Sequence, residues 1–351
     1  MLPYLLYWGI LASAGLGNAR RIAGLTLLAL GASLTLLIGL RLEVGADWFN
    51  YLFYIERSIG LPFAEVFLES EPGWGLLNWI GANWGGSLFL VNTLSGLVFS
   101  IGLLLFCRAQ PRPWLALCLA FPYLIVVVAM GYSRQGVAIA VEMLALLALQ
   151  NNKLLQFLAW IALAATFHRT VLVLLVLPAS TLSGSLRFSQ LIRFGLLAGA
   201  AYGLYSAVIA PNLDYYVQGY LEAEYQSQGA LIRVALCLLP AVAFLLNRRG
   251  FQLIPDVQRI WTLLSLMAVA AAIGLFTVAS STAVDRLVLY LIPLQLFVGS
   301  RVPDTRLFGI SPGTWNHLLI FFSLAVLLVW LFFAAHASAW LPYRNLLFDF
   351  L

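Results

Sequence analysis

Charge is what this sequence has least of. Of its 351 residues only 9% are Asp, Glu, Lys or Arg, while 62% are hydrophobic, and the mean hydropathy is +0.95. A soluble domain carries roughly a quarter charged residues. The chain lacks the polar side chains to face water all round, so it reads as a polytopic membrane protein. The formal charge of +5 does not argue for nucleic acid, because the basic residues are scattered in ones and twos between apolar segments rather than gathered on one face. Cysteine is also sparse. Cys107, Cys118 and Cys237 lie in or beside apolar runs without metal-ligand spacing and read as small core residues. Histidine occurs three times, with no H-x-x-x-H or H-E-x-x-H, and no acids are spaced like a metal cage, so a metal site is not supported. No basic residue precedes the first apolar stretch; the first charges are Arg20 and Arg21. That order suits a first transmembrane helix better than a cleaved signal peptide. An internal repeat and an appended soluble domain are both missing.

Long apolar runs fill the chain instead. A spanning helix needs about 20 mostly apolar residues. The runs predict an all-α fold of about twelve transmembrane helices, near 2–17, 22–40, 87–106, 114–131, 134–150, 154–167, 170–183, 193–210, 230–246, 260–278, 287–300 and 315–335. Cytoplasmic loops retain Arg and Lys. Placing the 20–21 loop inside and alternating puts Arg20, Arg21, Arg108, Arg112, Lys153, Arg187, Arg193, Arg248, Arg249, Arg259, Arg301 and Arg306 inside. Arg41, Arg57, Arg134, Arg169, Arg233, Arg286 and Arg344 fall outside, with most of the acids. Both termini then face outward. Residues 1–351 form one transmembrane domain, with outer loops at 41–86 and 211–229.

The longest polar break is Arg41–Trp79, which carries Glu43, Asp47, Glu56, Glu65, Glu69 and Glu71 among nine aromatic rings. Short interfacial helices are expected there, opened by Asp47 as N-cap, by Pro62, and by Ser70 with Pro72 just inside. Acids interleaved with rings either grip and deprotonate a sugar or decorate a helix at a membrane surface.

Several residues invite chemistry. Arg134, Arg169, Arg233 and Arg286 sit at outer helix mouths, where the topology rule disfavours basic residues. Each alone could snorkel to lipid headgroups. Together they suggest an anionic ligand at the outer boundary, since guanidinium matches a bidentate phosphate grip. His168 at a predicted helix end is either structural or functional. Glu142 lies eight residues after Arg134, roughly 12 Å deeper along a helix; it is either functional or protonated and hydrogen-bonded to a neighbouring helix. Asp47 suits both an N-cap and a general base. Glu71, before the Pro72-Gly73 bend, is similarly open.

Six short motifs together resemble one family. Gly45-Ala46-Asp47-Trp48 with Tyr51 resembles the G-x-D-aromatic-x-x-Tyr signature of the EpsG family, the Wzy-like exopolysaccharide and O-antigen polymerases of bacteria. Glu71-Pro72-Gly73-Trp74 with Asn78, Arg134-Gln135, Phe167-His168, Asp285-Arg286 with Tyr290, and Pro342-Tyr343-Arg344 follow in the same order. The chain departs from the family where Arg169-Thr170-Val171 follows His168 and where Trp74 replaces the usual Tyr or Phe.

The resemblance implies a helical enzyme of GT-C type in the bacterial cytoplasmic membrane. Such an enzyme would transfer a growing chain from undecaprenyl pyrophosphate onto a lipid-linked repeat unit at the outer face, without a cofactor. Asp47, Glu71 and His168 become the catalytic candidates, with Asp47 as base and Glu71 and His168 orienting the acceptor. Arg134 and Arg286 would hold the pyrophosphate, and Arg169, Arg233, Tyr51, Trp74, Gln135, Tyr290 and Arg344 complete the substrate-binding candidates. Membrane lipids, a chain-length regulator and a repeat-unit flippase are the implied surroundings, with no nucleic acid. An O-antigen ligase, or a transferase using a polyprenyl-phosphate sugar, would share the outer arginines. A transporter or flippase would favour internal repeats and midplane charges, and a non-catalytic scaffold would tolerate loss of Asp47.

Overall fold

A backbone in hydrocarbon must satisfy its own hydrogen bonds, and in the computed structural model the described residues do so almost entirely as helices. The structure describes residues 1–181, 229–277 and 281–349, apart from positions 18, 70 and 86, together with isolated positions 195, 199 and 203. The expected span at 193–210 and the loop at 211–229 therefore lie outside the described residues, except for those isolated positions and Gly229.

Helices α1 (Leu2–Leu16) and α2 (Gly24–Gly39) lead into the polar stretch, which holds α3 (Trp48–Ser58), a 3-10 turn at Phe63–Glu65, α4 (Val66–Glu69) and α5 (Pro72–Asn83). Then come α6 (Ser87–Arg108), α7 (Pro113–Ala120), a π-helix at Phe121–Ala129, α8 (Ser133–Gln150), α9 (Leu154–Ala165) and a 3-10 helix at Arg169–Thr181. The later elements include α10 (Ala230–Leu246), α11 (Pro255–Thr277), α12 (Ser281–Val288), α13 (Ile292–Gly299), α14 (Pro312–Phe333) and α15 (Leu346–Asp349).

Four described stretches are long and apolar enough to cross a membrane: Ser87–Arg108, Pro255–Thr277, Ser281–Asp304 and Pro312–Phe333. Shorter apolar helices, from 10 to 17 residues, include α1, α2, α9 and α10.

Several elements differ from expectation for local reasons. The run expected as one helix over 114–131 turns into a π-helix at Phe121. Pro122 brings no N–H to the ladder there, and π segments recur at functional sites. The span expected at 170–183 is a 3-10 helix carrying Pro178. The span expected from 287 begins at Ser281, so Arg286 lies inside a helix rather than at its mouth. The third helix of the polar stretch has Glu71, not Ser70, at its N-cap position; position 70 lies outside the described residues.

The described chain divides into two compact units. The first comprises Met1–Leu144, Leu163–His168 and Gly299–Leu351; the second comprises Ala145–Ala162 and Arg169–Val298. In the first, α2 packs on α6, α1 on α7, and α5 on α3 and α6. Small residues allow close approach: a Cβ on Gly102 of α6 would lie 2.3 Å from the Ala140 carbonyl oxygen, and one on Gly39 would lie 2.5 Å from Thr93 Oγ1. At one end of this unit Arg20 and Arg112 both hold Asp304, at 2.9 and 2.8 Å. In the second unit α10 packs on α11 and α12, and the Trp261 and Phe297 rings stack at 3.8 Å. Glu142 is fully buried in α8. Neither of its carboxylate oxygens has a hydrogen-bond partner among the described residues, so the expected bond to a neighbouring helix is not among them.

Candidate active site

The polar stretch begins on a buried arginine. Arg41 is wholly inaccessible. Its guanidinium donates to the carbonyls of Val44 (3.0 Å) and Ile38, to Asn92 Oδ1 (2.9 Å) and to Ser133 Oγ (2.9 Å). Burial pulls its pKa down to about 10, against the raising influence of Tyr51 and Tyr343, so it stays charged at neutral pH. One cation thus pins the end of α2, the second turn of α6 and the start of α8. The alternation of basic residues assigns Arg41 to the outer face; in the structure it is buried and ties separate helices together.

From that anchor the chain turns through Gly45, whose φ of +109° suits glycine and whose added Cβ would lie 2.2 Å from the Met130 carbonyl oxygen. The Gly45 N–H donates to the Ala339 carbonyl at 2.7 Å and the Asp47 N–H to that of Gly131 at 3.4 Å. This close approach seats Asp47 beside the turn that precedes Arg134. Asp47 stands at the N-cap position of α3, but its side chain makes no cap hydrogen bond. The half-buried carboxylate instead accepts from Asn50 Nδ2 at 3.3 Å and from the Tyr51 hydroxyl at 3.4 Å. Burial, reinforced by the Asp47 charge, raises the Tyr51 pKa and keeps the phenol a proton donor. Of the two readings the sequence left open, the side-chain cap is the one the geometry removes.

Glu71 arrives on α5. The Gly73 and Trp74 N–H groups donate to the Thr166 carbonyl at 2.9 and 3.3 Å, and a Cβ on Gly73 would lie 2.4 Å from Thr166 Oγ1. The Glu-Pro-Gly-Trp bend is therefore seated on the chain just before His168, which is half-buried in the same unit. The Trp74 ring packs against that of Tyr51 with centroids 4.9 Å apart, inside a core of Trp48, Ile55, Leu88 and Val91.

Arg134, in the first turn of α8, closes the arrangement. Its Nη1 lies 3.2 Å from Glu71 Oε2, with both side chains partly buried, and its guanidinium lies over the Tyr54 ring at 5.5 Å. Gln135 beside it is buried. Asp47, Tyr51, Glu71 and Arg134 come from three separated segments to one place. The tail braces this face from behind. Leu42 N–H donates to the Arg344 carbonyl and Leu346 N–H to that of Leu40, at 3.0 and 2.9 Å. The Tyr343 hydroxyl donates to the Leu37 carbonyl at 2.8 Å. The Trp340 indole donates to the Val126 carbonyl of the π-helix at 2.7 Å. Arg344 itself pairs with Glu43 at 2.5 Å, both exposed.

The sequence pattern that defines the EpsG family matches residues 25–345, nearly the whole chain. The chain belongs to the EpsG family. This is the Wzy-like polymerase family, and membership makes the protein a polysaccharide polymerase-like membrane protein. No curated protein and no solved structure matches it.

The EpsG motif residues divide between the two units. In the second, Arg233 and Asp285 form a buried bidentate pair, Nε to Oδ1 and Nη2 to Oδ2, the latter at 2.6 Å. Asp285 thus takes up the charge of an arginine expected to bind phosphate. Arg286, the next residue in α12, is exposed, and Arg169 is half-buried at the start of its 3-10 helix. Tyr290 is fully buried, and its hydroxyl accepts from Thr170 Oγ1 at 3.2 Å. Among the described residues no three His, Cys, Asp or Glu side chains group so as to hold a metal. Asn50 and Tyr54 were not singled out in the sequence. Helical spacing from Asp47, at three and seven positions, is the signal that places them on its face of α3.

Proposed function

We propose that this EpsG-family protein elongates a polysaccharide at the outer face of a bacterial cytoplasmic membrane, moving a chain from undecaprenyl pyrophosphate onto a lipid-linked repeat unit. The observation that carries the reading is the Arg134–Glu71 pair beside a carboxylate, Asp47, that is not engaged in capping its helix. Asp47 takes the proton of the acceptor hydroxyl as that oxygen bonds to the donor's anomeric carbon. The bond from that carbon to the pyrophosphate oxygen breaks, and its electron pair leaves with the lipid pyrophosphate. Arg134 stabilises the growing charge, and a positioned cation does this without reorganising in the transition state. Glu71 holds the guanidinium in place until the pyrophosphate competes for it. The Tyr51 hydroxyl orients Asp47 as a general base, which needs hydrogen-bond reach of its proton. Direct displacement inverts the anomeric centre.

The test is reconstitution. Purified protein in lipid discs, given lipid-linked repeat units, should produce a ladder of longer chains, and Asp47→Asn should lower the rate by roughly 100-fold or more. Unchanged elongation by Asp47→Asn would remove that residue as the base, and no ladder from the wild-type protein would remove the polymerase reading.

A further inference from the structure

Six arginines gather at one end of the first unit. In the sequence they stand in ones and twos; only the tertiary structure brings them together. Arg20, beyond α1, and Arg112, before α7, both hold Asp304. Arg301 donates to Gln110 Oε1, and Gln110 Nε2 donates to the Phe106 carbonyl at 2.7 Å. These bonds join the chain after α1, the α6–α7 turn and the 301–304 turn. Arg21, Arg108 and Arg306 lie within two residues of that joint, where Asp304 is the one carboxylate of the three stretches 20–21, 108–112 and 301–306. Arg20, Arg112 and Arg301 are therefore braces. Arg21, Arg108 and Arg306 are exposed, and no other described side chain is bonded to their guanidinium groups.

The turn beside the joint is strained. Arg306 and Phe308 have φ of +52° and +56°, a left-handed backbone that is rare for a bulky residue and persists only where its surroundings hold it. Here the Gly309 N–H donates to the Arg306 carbonyl at 2.9 Å and the Trp315 indole to the Leu307 carbonyl at 3.1 Å. Leu307 is buried, yet the Phe308 ring is 72% exposed. Retention of basic residues in inner loops accounts for the charge alone; it requires neither a shared joint nor a strained, exposed ring.

The level of these residues names the occupant. Ser87–Arg108 and Pro312–Phe333 are 22-residue apolar helices, each about 33 Å long against a hydrocarbon core of about 30 Å. Arg108 and Pro312 at their ends therefore emerge among headgroups. We infer that this end of the first unit binds an anionic phospholipid, with Arg21, Arg108 and Arg306 holding the headgroup phosphate and Phe308 entering the apolar boundary beside it. Guanidinium suits a phosphate, a free phosphate would leave the ring in water, and a choline headgroup would set an ammonium among arginines. The site stands whether or not the protein elongates a polysaccharide.

The test is lipid competition. Full-length protein in detergent is offered equimolar phosphatidylglycerol and phosphatidylcholine, and bound lipid is counted by native mass spectrometry. Phosphatidylglycerol should dominate, and added salt should erode its lead. Arg21→Gln, Arg108→Gln and Arg306→Gln should each weaken its binding about five-fold, and together about 100-fold, with the Asp304 joint intact. Phe308→Gly guards against misfolding, because glycine adopts the left-handed backbone freely. It should melt no lower than the wild type without lipid, yet gain less melting temperature from phosphatidylglycerol. Equal binding of the two lipids by the wild type, or a preference that survives the triple variant, would overturn the site. Binding of polyglutamate in place of the lipid, lost in the triple variant, would give the surface to an acidic protein segment and overturn it equally. A Phe308→Gly protein stabilised by phosphatidylglycerol as much as the wild type would overturn the part given to the ring.

Discussion

Arg134 Nη1 and Glu71 Oε2 meet at 3.2 Å although the two residues lie 63 positions apart in the chain. The pair joins the first turn of α8 to the first turn of α5, and the Tyr54 ring backs its guanidinium. An arginine held so by one carboxylate is pre-oriented for a second anion.

Charge at this pair should therefore control rate. Arg134→Ala is expected to slow chain elongation by about 100-fold or more, the size of effect seen when one transition-state donor is removed. Arg134→Lys should recover little, because an ammonium lacks the planar fork. Glu71→Gln should cost less, roughly ten-fold, since it loosens the arginine without removing it. The measurement is the initial elongation rate in lipid discs. A wild-type rate in Arg134→Ala would detach the pair from catalysis.

The buried Arg233–Asp285 pair is expected to behave as structure. Asp285→Asn should destabilise the protein by about 3–5 kcal/mol, because it leaves a buried guanidinium short of its counter-charge. The double variant Arg233→Met, Asp285→Leu should recover most of that loss, since apolar replacement of a buried pair is often neutral. Thermal melting in detergent reads both. If the double variant melts as low as the single one, the pair contributes more than mutual neutralisation.

Arg41 makes a stronger claim on the fold. Arg41→Met should leave Asn92 Oδ1 and the Val44 and Ile38 carbonyls without their donor and lower stability by several kcal/mol. Melting temperature and yield from membranes should fall together. A variant that melts like the wild type would show that these acceptors find other donors.

The tail should come loose in alkali. Burial pushes the Tyr343 phenol up to about 12, with the Asn345 hydrogen bond and the Arg41 charge pulling the other way. In the unfolded chain tyrosine ionises near 10. The folded state therefore holds its proton longer, so the docking is at full strength below about pH 10 and weakens between about 10 and 12. Absorbance titration should show tyrosinate appearing late for this residue, and Tyr343→Phe should remove that late component. A Tyr343 that ionises with the exposed tyrosines would contradict the docked tail.

Much of this architecture was legible in the sequence, for reasons that differ by element. Apolar runs named the helices because a segment such as Pro312–Phe333 has few places to go but lipid or a helical core. Apolar runs put helix starts near 114 and 315, and the structure begins those helices slightly earlier, at Pro113 and Pro312, where proline is tolerated in a first turn. Asp47 and Glu71 stood out from the six acids of the polar stretch through the resemblance to the family's motifs, and Arg134 as a basic residue at an outer helix mouth. What could not be read was partnership. Arg41, Arg233 and Arg344 look alike in sequence, yet one is a buried anchor, one is neutralised by Asp285, and one holds exposed Glu43.

Composition and local pattern thus settled the material and the pieces: a helical membrane chain, a polar stretch at 41–79, and motif residues in family order. Those properties depend on hydropathy and backbone geometry, which act over a few residues at a time. The roles of the charges were decided by tertiary structure. A carboxylate or guanidinium takes its character from the partner brought to it across tens of residues and from the water excluded around it. Close approach at Gly45 and Gly73, where no side chain fits, is what set Asp47 and Glu71 beside Arg134.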